Sequence, residues 1–128
     1  TYQGEFKKDM MHGEGVLTFK DGRVYTGAMK DDLMHGLGQL IFPDGGKYEG
    51  DFLKDNMDGE GAYYYPNRDV YEGEFKKNML HGDGVYTFAD GRKFQGGFKN
   101  GLWEDGDFLT PSGDVFMSMK DGEKVDAQ

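Results

Sequence analysis

The chain has 128 residues, enough for one domain, and its ten Phe, eight Tyr and one Trp are too many aromatics for a disordered segment. A net charge of -9 at pH 7 disfavours sequence-independent nucleic-acid binding and adhesion to anionic membranes. No apolar run approaches the roughly 18 residues of a membrane-spanning helix, no signal-peptide pattern is present, and the absence of cysteine rules out a disulfide framework or thiolate metal site. Zero cysteines fit a reducing compartment. The start at Thr1, just before a repeat aromatic and without an initiator methionine, reads as a segment of a longer array or multidomain protein.

The first predicted element is a strand, Tyr2-Gln3-Gly4-Glu5-Phe6, in which large or glycine residues alternate with polar ones. It recurs at Tyr25, Tyr48, Tyr71 and Phe94, each 23 residues after the last. A fixed period of this length is the mark of a repeat array rather than of one inward-facing core. Counting the aromatic as position 1, glycine returns at positions 3, 12, 14 and 21, and 18 of the 22 glycines sit at these phases. The segment after the first strand carries Met10-Met11, Leu33-Met34, Met57, Met79-Leu80 and Leu102-Trp103 and reads as a long loop joining two strands.

A second alternating run follows at positions 14, 16 and 18: Gly15-Leu17-Phe19, Gly38-Leu40-Phe42, Gly61-Tyr63-Tyr65 and Gly84-Tyr86-Phe88. Each repeat is thus two short strands, and the predicted fold is all-β, an elongated single-layer antiparallel meander of stacked hairpins. Counting Phe116, 17 of the 19 aromatics fall on positions 1, 5, 16 and 18, which share one face. If position 3 opposes 16 and position 14 opposes 5, each large side chain can fold over a bare glycine across the ladder. Glycine would also permit the bends of a strongly twisted sheet.

Repeats are joined at Lys20-Asp21-Gly22, Pro43-Asp44-Gly45, Ala89-Asp90-Gly91 and Pro111-Ser112-Gly113. A three-residue loop, a type I turn followed by a left-handed glycine, keeps the aromatics on one face. At Pro66-Asn67-Arg68 the same geometry puts Arg68 at the left-handed position, at a cost of about 1 kcal/mol. The units span residues 2–24, 25–47, 48–70, 71–93 and 94–115. The last is one residue short and has Trp103-Glu104 where His-Gly is expected, so its hairpin loop should differ. Phe116-Met117-Ser118-Met119-Lys120 reads as a capping strand or the first strand of a sixth unit, followed by a polar tail to 128.

Aromatic, glycine, His-Gly-x-Gly and Asp-Gly at these spacings resemble the MORN (membrane occupation and recognition nexus) repeat. The match runs from residue 2 to about 115, as in Tyr71-Glu72-Gly73-Glu74-Phe75 with His81-Gly82-Asp83-Gly84. The resemblance implies a twisted, curved sheet with an aromatic groove, used as a scaffold or targeting module. Its implied setting is the cytoplasm, in association with the cytoskeleton, a cilium or a membrane surface.

Among candidate constellations, His12, His35 and His81 share position 11, but equivalent positions lie two strands apart, about 9–10 Å. That is too far for three to meet on one zinc, so they read as turn residues and no metal or cofactor is expected. The carboxylates fall on outward positions or in turns, without the burial that tunes catalytic acids, and no enzyme activity is expected. The candidate partner-binding groove comprises Tyr2, Phe6, Tyr25, Tyr48, Phe52, Tyr71, Phe75, Phe94 and Phe98 with Phe19, Phe42, Tyr65 and Phe88. Such a trough, about 45–50 Å long over ten strands, suits a basic amphipathic helix. Met11, Met34, Met57, Leu80 and Trp103 lie along an apolar loop edge that reads first as completion of a thin core and, as the alternative, as a second candidate partner-binding edge. Two other readings are lipid-headgroup binding through Lys7-Lys8, Lys76-Lys77 and Arg92-Lys93, and homodimerisation through an exposed end strand.

Overall fold

The computed structural model describes residues 1–120 and the backbone of 123–126. Twelve strands follow one another in a single antiparallel sheet whose spatial order is the chain order. They are β1 (Tyr2–Lys7), β2 (Met10–Thr18), β3 (Val24–Lys30), β4 (Leu33–Ile41), β5 (Lys47–Leu53), β6 (Asn56–Tyr64), β7 (Val70–Lys76), β8 (Met79–Thr87), β9 (Lys93–Lys99), β10 (Leu102–Leu109), β11 (Val115–Lys120) and β12 (Glu123–Asp126). The alternation anticipates the first eleven. The twelfth lies in what reads as a polar tail, because Glu123–Asp126 carries no apolar alternation; the rest of that tail lies outside the described residues.

The loops between repeats are as the glycines require. The Gly22 N–H donates to the Phe19 carbonyl at 3.1 Å and the Phe19 N–H to that of Arg23 at 2.9 Å, with Gly22 at φ 99°. Arg68 takes the same place at φ 78°. The expected long loop between the two strands of a hairpin does not exist. Lys8-Asp9, Asp31-Asp32, Lys54-Asp55, Lys77-Asn78 and Asn100-Gly101 form two-residue turns with both residues at positive φ. This is the mirror-image turn that matches strand twist. In repeat 5 the turn is the same as elsewhere, and the missing residue falls in the bulge instead. Trp103 and Gly106 are three apart where Met34 and Gly38 are four.

The second strand of each hairpin therefore begins near position 9 and runs past a bulge. Between Met29↔Met34 and Gly27↔Gly38, one residue of β3 faces three of β4. The bulge resets the register, so the glycines at positions 3 and 14 do not oppose positions 16 and 5 as expected. They oppose each other. Gly4, Gly15, Gly27, Gly38, Gly50, Gly61, Gly73, Gly84, Gly96 and Gly106 form one unbroken row across ten strands. The covering ring comes from position 1 of the same hairpin, running along the strand. Tyr25 lies where a Cβ on Gly38 would stand, and Tyr48 and Tyr71 do the same over Gly61 and Gly84.

Each bulge frees polar backbone groups, and the repeat supplies partners for them. The hydroxyls of Tyr2, Tyr25, Tyr48 and Tyr71 donate to the carbonyls of Glu5, Ala28, Asp51 and Glu74 at 2.6–2.9 Å. The carboxylates of Glu5, Asp51 and Glu74 accept the N–H groups of Glu14, Glu60 and Asp83 at 2.6–3.0 Å. At the capping end the register departs again. Phe108 pairs with Met117 rather than Phe116, so Met119 is buried while Phe116 stays 38 % exposed.

The row leaves no room for a β-carbon: one on Gly50 would stand 2.5 Å from Gly61 Cα and Glu60 O. Gly50→Ala should lower stability by about 2 kcal/mol, in the range of overpacked cores. Glu49→Gln, one residue away on the solvent side, should change it by less than about 0.5 kcal/mol. Thermal melts of the two variants check this, and equal shifts would remove the steric role of the row.

Candidate partner-binding face

The aromatic face divides into two rows with different exposure. The inner row is closed. Tyr25, Tyr48, Tyr71 and Phe94 are 0 % exposed, and Phe52, Phe75 and Phe98 no more than 4 %. Their rings interlock edge to face: Phe52 meets Tyr25 and Tyr48 at 5.0 and 5.1 Å, and Phe75 meets Tyr48 and Tyr71 at 4.9 and 5.2 Å. Phe98 repeats the arrangement with Tyr71 and Phe94. Edge-to-face pairs of this kind contribute about 0.5–1.5 kcal/mol beyond burial alone. A partner cannot reach these side chains, so the groove expected at Tyr25, Tyr48, Phe52, Tyr71, Phe75, Phe94 and Phe98 is instead the core. A single sheet closes this core because each large ring spans to the neighbouring repeat.

The residues expected in long loops belong to strands instead, and of their two readings completion of a thin core is the one their burial supports. Met11, Met34, Met57, Leu80 and Trp103 lie in the second strands, cross-strand from the position-5 residues. Met34 and Met57 are buried with the aromatic core, and Trp103 packs on Phe94 and Phe98 at 4.6 and 5.2 Å.

The outer row remains half-exposed. Phe42, Tyr63, Tyr65, Tyr86 and Phe88 contact one another in sequence at 4.7–5.6 Å with tilted rings. Phe108 continues the line from Phe88 at 6.4 Å, and Phe116 from Phe108 at 6.1 Å. Leu17 and Phe19 occupy the equivalent places in repeat 1. Of the expected groove, Phe19, Phe42, Tyr65 and Phe88 belong to this ribbon. Tyr63, Tyr86 and Phe108 were passed over, although their place on the same alternating run marks them. Beside the ribbon Asp69 is buried and accepts from the Tyr86 hydroxyl at 2.7 Å and the Ala89 N–H at 2.9 Å.

The opposite face is acidic and carries the carboxylates of Glu14, Glu49, Glu60, Glu72, Glu74 and Asp83. A shallow depression of about 470 Å³ over Gly73, Gly84 and Gly96 is rimmed by Glu72, Asp83 and Gln95. Among the described residues, no three metal-ligating side chains converge. The position-11 histidines stay apart; His35 Nδ1 accepts from the Lys54 N–H at 3.4 Å, and Nδ1 of His81 is buried without a hydrogen-bond partner. No helix of the described residues is long and apolar enough to cross a membrane.

Burial, with smaller contributions from Tyr63 and Asp69, pushes the Tyr65 phenol up to about 12. Burial also raises Tyr25, Tyr48, Tyr71 and Tyr86. A raised phenol pKa means that the folded state keeps a proton the unfolded chain loses above about pH 10. Stability is then complete below that pH and falls as pH rises from about 10 toward 12. Tyr65→Phe, which retains the ring, should flatten this decline by about one proton, read from melting temperature against pH. An unchanged slope would place Tyr65 outside the linkage.

The geometry is that of one hairpin unit copied along a sheet, and comparison with known families agrees. The MORN repeat model matches residues 2–22, 25–47, 48–70 and 71–91. A search of curated proteins finds no match. Covered over more than half its length by four consecutive copies, the chain belongs to the MORN repeat family.

Proposed function

We propose that the chain is a noncatalytic interaction module that holds a protein partner, an amphipathic helix with basic residues, along the half-buried aromatic ribbon. The observation that carries this reading is the unbroken ring contact from Phe42 through Tyr63, Tyr65 and Tyr86 to Phe88. Rings held rigid by a packed row beneath give up little entropy on binding, and such aromatics make the strongest anchors. Repeats spaced about 9.6 Å apart correspond to about six or seven residues of helix rise, so a helix lying across the strands meets one anchor site per two turns. The net charge of -9 favours encounter with a basic partner. Such a module would serve cytoplasmic assemblies at the cytoskeleton, a cilium or a membrane surface.

A second reading, lipid-headgroup binding, draws on the hairpin tips. Lys7, Lys8, Lys30, Lys54, Lys76, Lys77 and Lys99 line that edge, all exposed. The three ion pairs among the described residues involve none of them. The acidity of the rest of the chain works against this reading.

Partners captured from a cytoskeleton-rich lysate and then titrated individually provide the test. Tyr65→Ala and Phe88→Ala should each weaken the partner about 30-fold, equivalent to about 2 kcal/mol. Leu37→Ala, on the opposite face, should change affinity less than about twofold. The reverse ordering would move the site off the ribbon. Phosphoinositide liposomes at physiological salt should retain little of the chain; strong retention lost in Lys76→Glu/Lys77→Glu would transfer the function to the tips.

A further inference from the structure

Of the five loops between repeats, the third differs from the others in its charges. Gly22, Gly45, Gly91 and Gly113 hold the left-handed position at φ between 94 and 99°, and Arg68 holds it at 78°. A side chain is strained there, and strain that no contact within the fold offsets points to a functional position. The two other arginines beside the ribbon are closed. Arg23 pairs with Asp21 at 2.8 Å and stands 4.2 Å over the Phe19 ring; Arg92 pairs with Asp90 at 2.7 Å and stands 5.8 Å over Phe88. In the third loop Asn67 takes the place of that aspartate and Asp69 the place of that arginine. The Asp69 carboxylate turns to Tyr86, Ala89 and Asn67, accepting at 2.7–3.3 Å. Arg68 is exposed, and its guanidinium makes no ion pair, hydrogen bond or ring contact with the described residues. Its N–H donates to the Tyr65 carbonyl at 3.0 Å, which sets this open cation beside the middle of the ribbon.

Resting on the reading of the ribbon as the seat of a partner helix, we propose that Arg68 fixes the register of that helix by pairing with one carboxylate on it. The rings alone leave register open. One hairpin's aromatics follow another's, so a helix slid by one repeat, about 9.6 Å, meets a similar set. A single polar group within an otherwise repeating contact removes such slippage. Slid one repeat either way, the partner's carboxylate meets Gly45, which has no side chain, or Arg92, already held by Asp90. Arginine suits the task, because its planar fork takes a carboxylate through two parallel hydrogen bonds. The partner is thus basic over most of its length, matching the acidic chain, with one acidic residue where it passes the third loop.

The probe is a synthetic lysine-rich amphipathic helix of about 20 residues, about 30 Å long, which spans three repeats and is free to slide. It carries glutamate or glutamine at the centre of one edge of its leucine face, and a nitroxide at its N-terminus. The wild-type chain should bind the glutamate form about fivefold tighter than the glutamine form, and Arg68→Gly should bind the two alike. With the glutamate form, the nitroxide should broaden amide signals of one repeat in the wild-type chain and of several in Arg68→Gly. Arg68→Gly should melt no lower than wild type, because glycine adopts the left-handed conformation without strain. Tyr65→Ala should weaken both peptides and so separates the two levels of the argument. Equal wild-type affinity for both peptides, with Tyr65→Ala still weakening them, would overturn the role of Arg68 and leave the ribbon standing. Peptides that fail to bind, or bind regardless of Tyr65→Ala, would overturn the ribbon and Arg68 together. A lower melting temperature for Arg68→Gly would make the arginine a structural residue and also overturn the proposal.

Discussion

Contact between bare backbones along the glycine row is the constraint on which the rest of the structure depends. Because ten strands cross this line without a side chain, each position-1 ring can lie flat over the glycine of the adjoining strand. Lying flat, Tyr25, Tyr48 and Tyr71 place their hydroxyls on the bulge carbonyls. The bulge gives each second strand its extra residues and sets the register that aligns the glycines. Steric room, ring placement and backbone satisfaction are one arrangement, and substituting any part of it disturbs the others. Phe94 follows the same path without a hydroxyl, and there Trp103 packs against its ring at 4.6 Å.

Neighbouring hairpins are joined a second time at their tips. The Asp32 N–H donates to the Met11 carbonyl at 3.0 Å, and the Asp32 carboxylate accepts the Met11 N–H at 2.7 Å. Asp55 with Met34, and Asn78 with Met57, repeat this exchange. A side chain acting in place of the next peptide group extends each ladder by one pair. This accounts for the left-handed Asp32, Asp55 and Asn78 at the tips: Asp and Asn tolerate that conformation and supply the acceptor. Every contact of this kind reaches only the adjacent repeat, so stability accumulates by nearest neighbours.

Strand alternation, the three-residue loops and the place of Arg68 were legible in the chain because each rests on residues close in sequence. The hairpin tips were hidden because their turn usually announces itself as Asn-Gly, whereas Lys8-Asp9 and Asp31-Asp32 give no such signal. The bulge was hidden as well, and with it the true register of Gly27 and Gly38. Exposure was misjudged for a different reason. Alternation places Tyr48 and Phe75 on one face but does not reveal that rings from successive repeats interlock at 4.9 Å and shut water out. The outer ribbon was readable by spacing, since Phe42, Tyr63, Tyr65 and Tyr86 share one alternating run, but spacing does not show that this row, and not the position-1 row, stays open.

The order of the strands also settles how the molecule bears load. Because spatial order follows chain order, β1 and β12 lie at opposite ends of the sheet. Tension between them pulls across the strands, not along them. The ladder bonds of an end strand are then loaded a few at a time rather than together in shear. Such an array yields by peeling, one hairpin after another, each release lengthening the chain while the remaining repeats keep their contacts. It is a compliant element, whose extension comes in steps of one repeat.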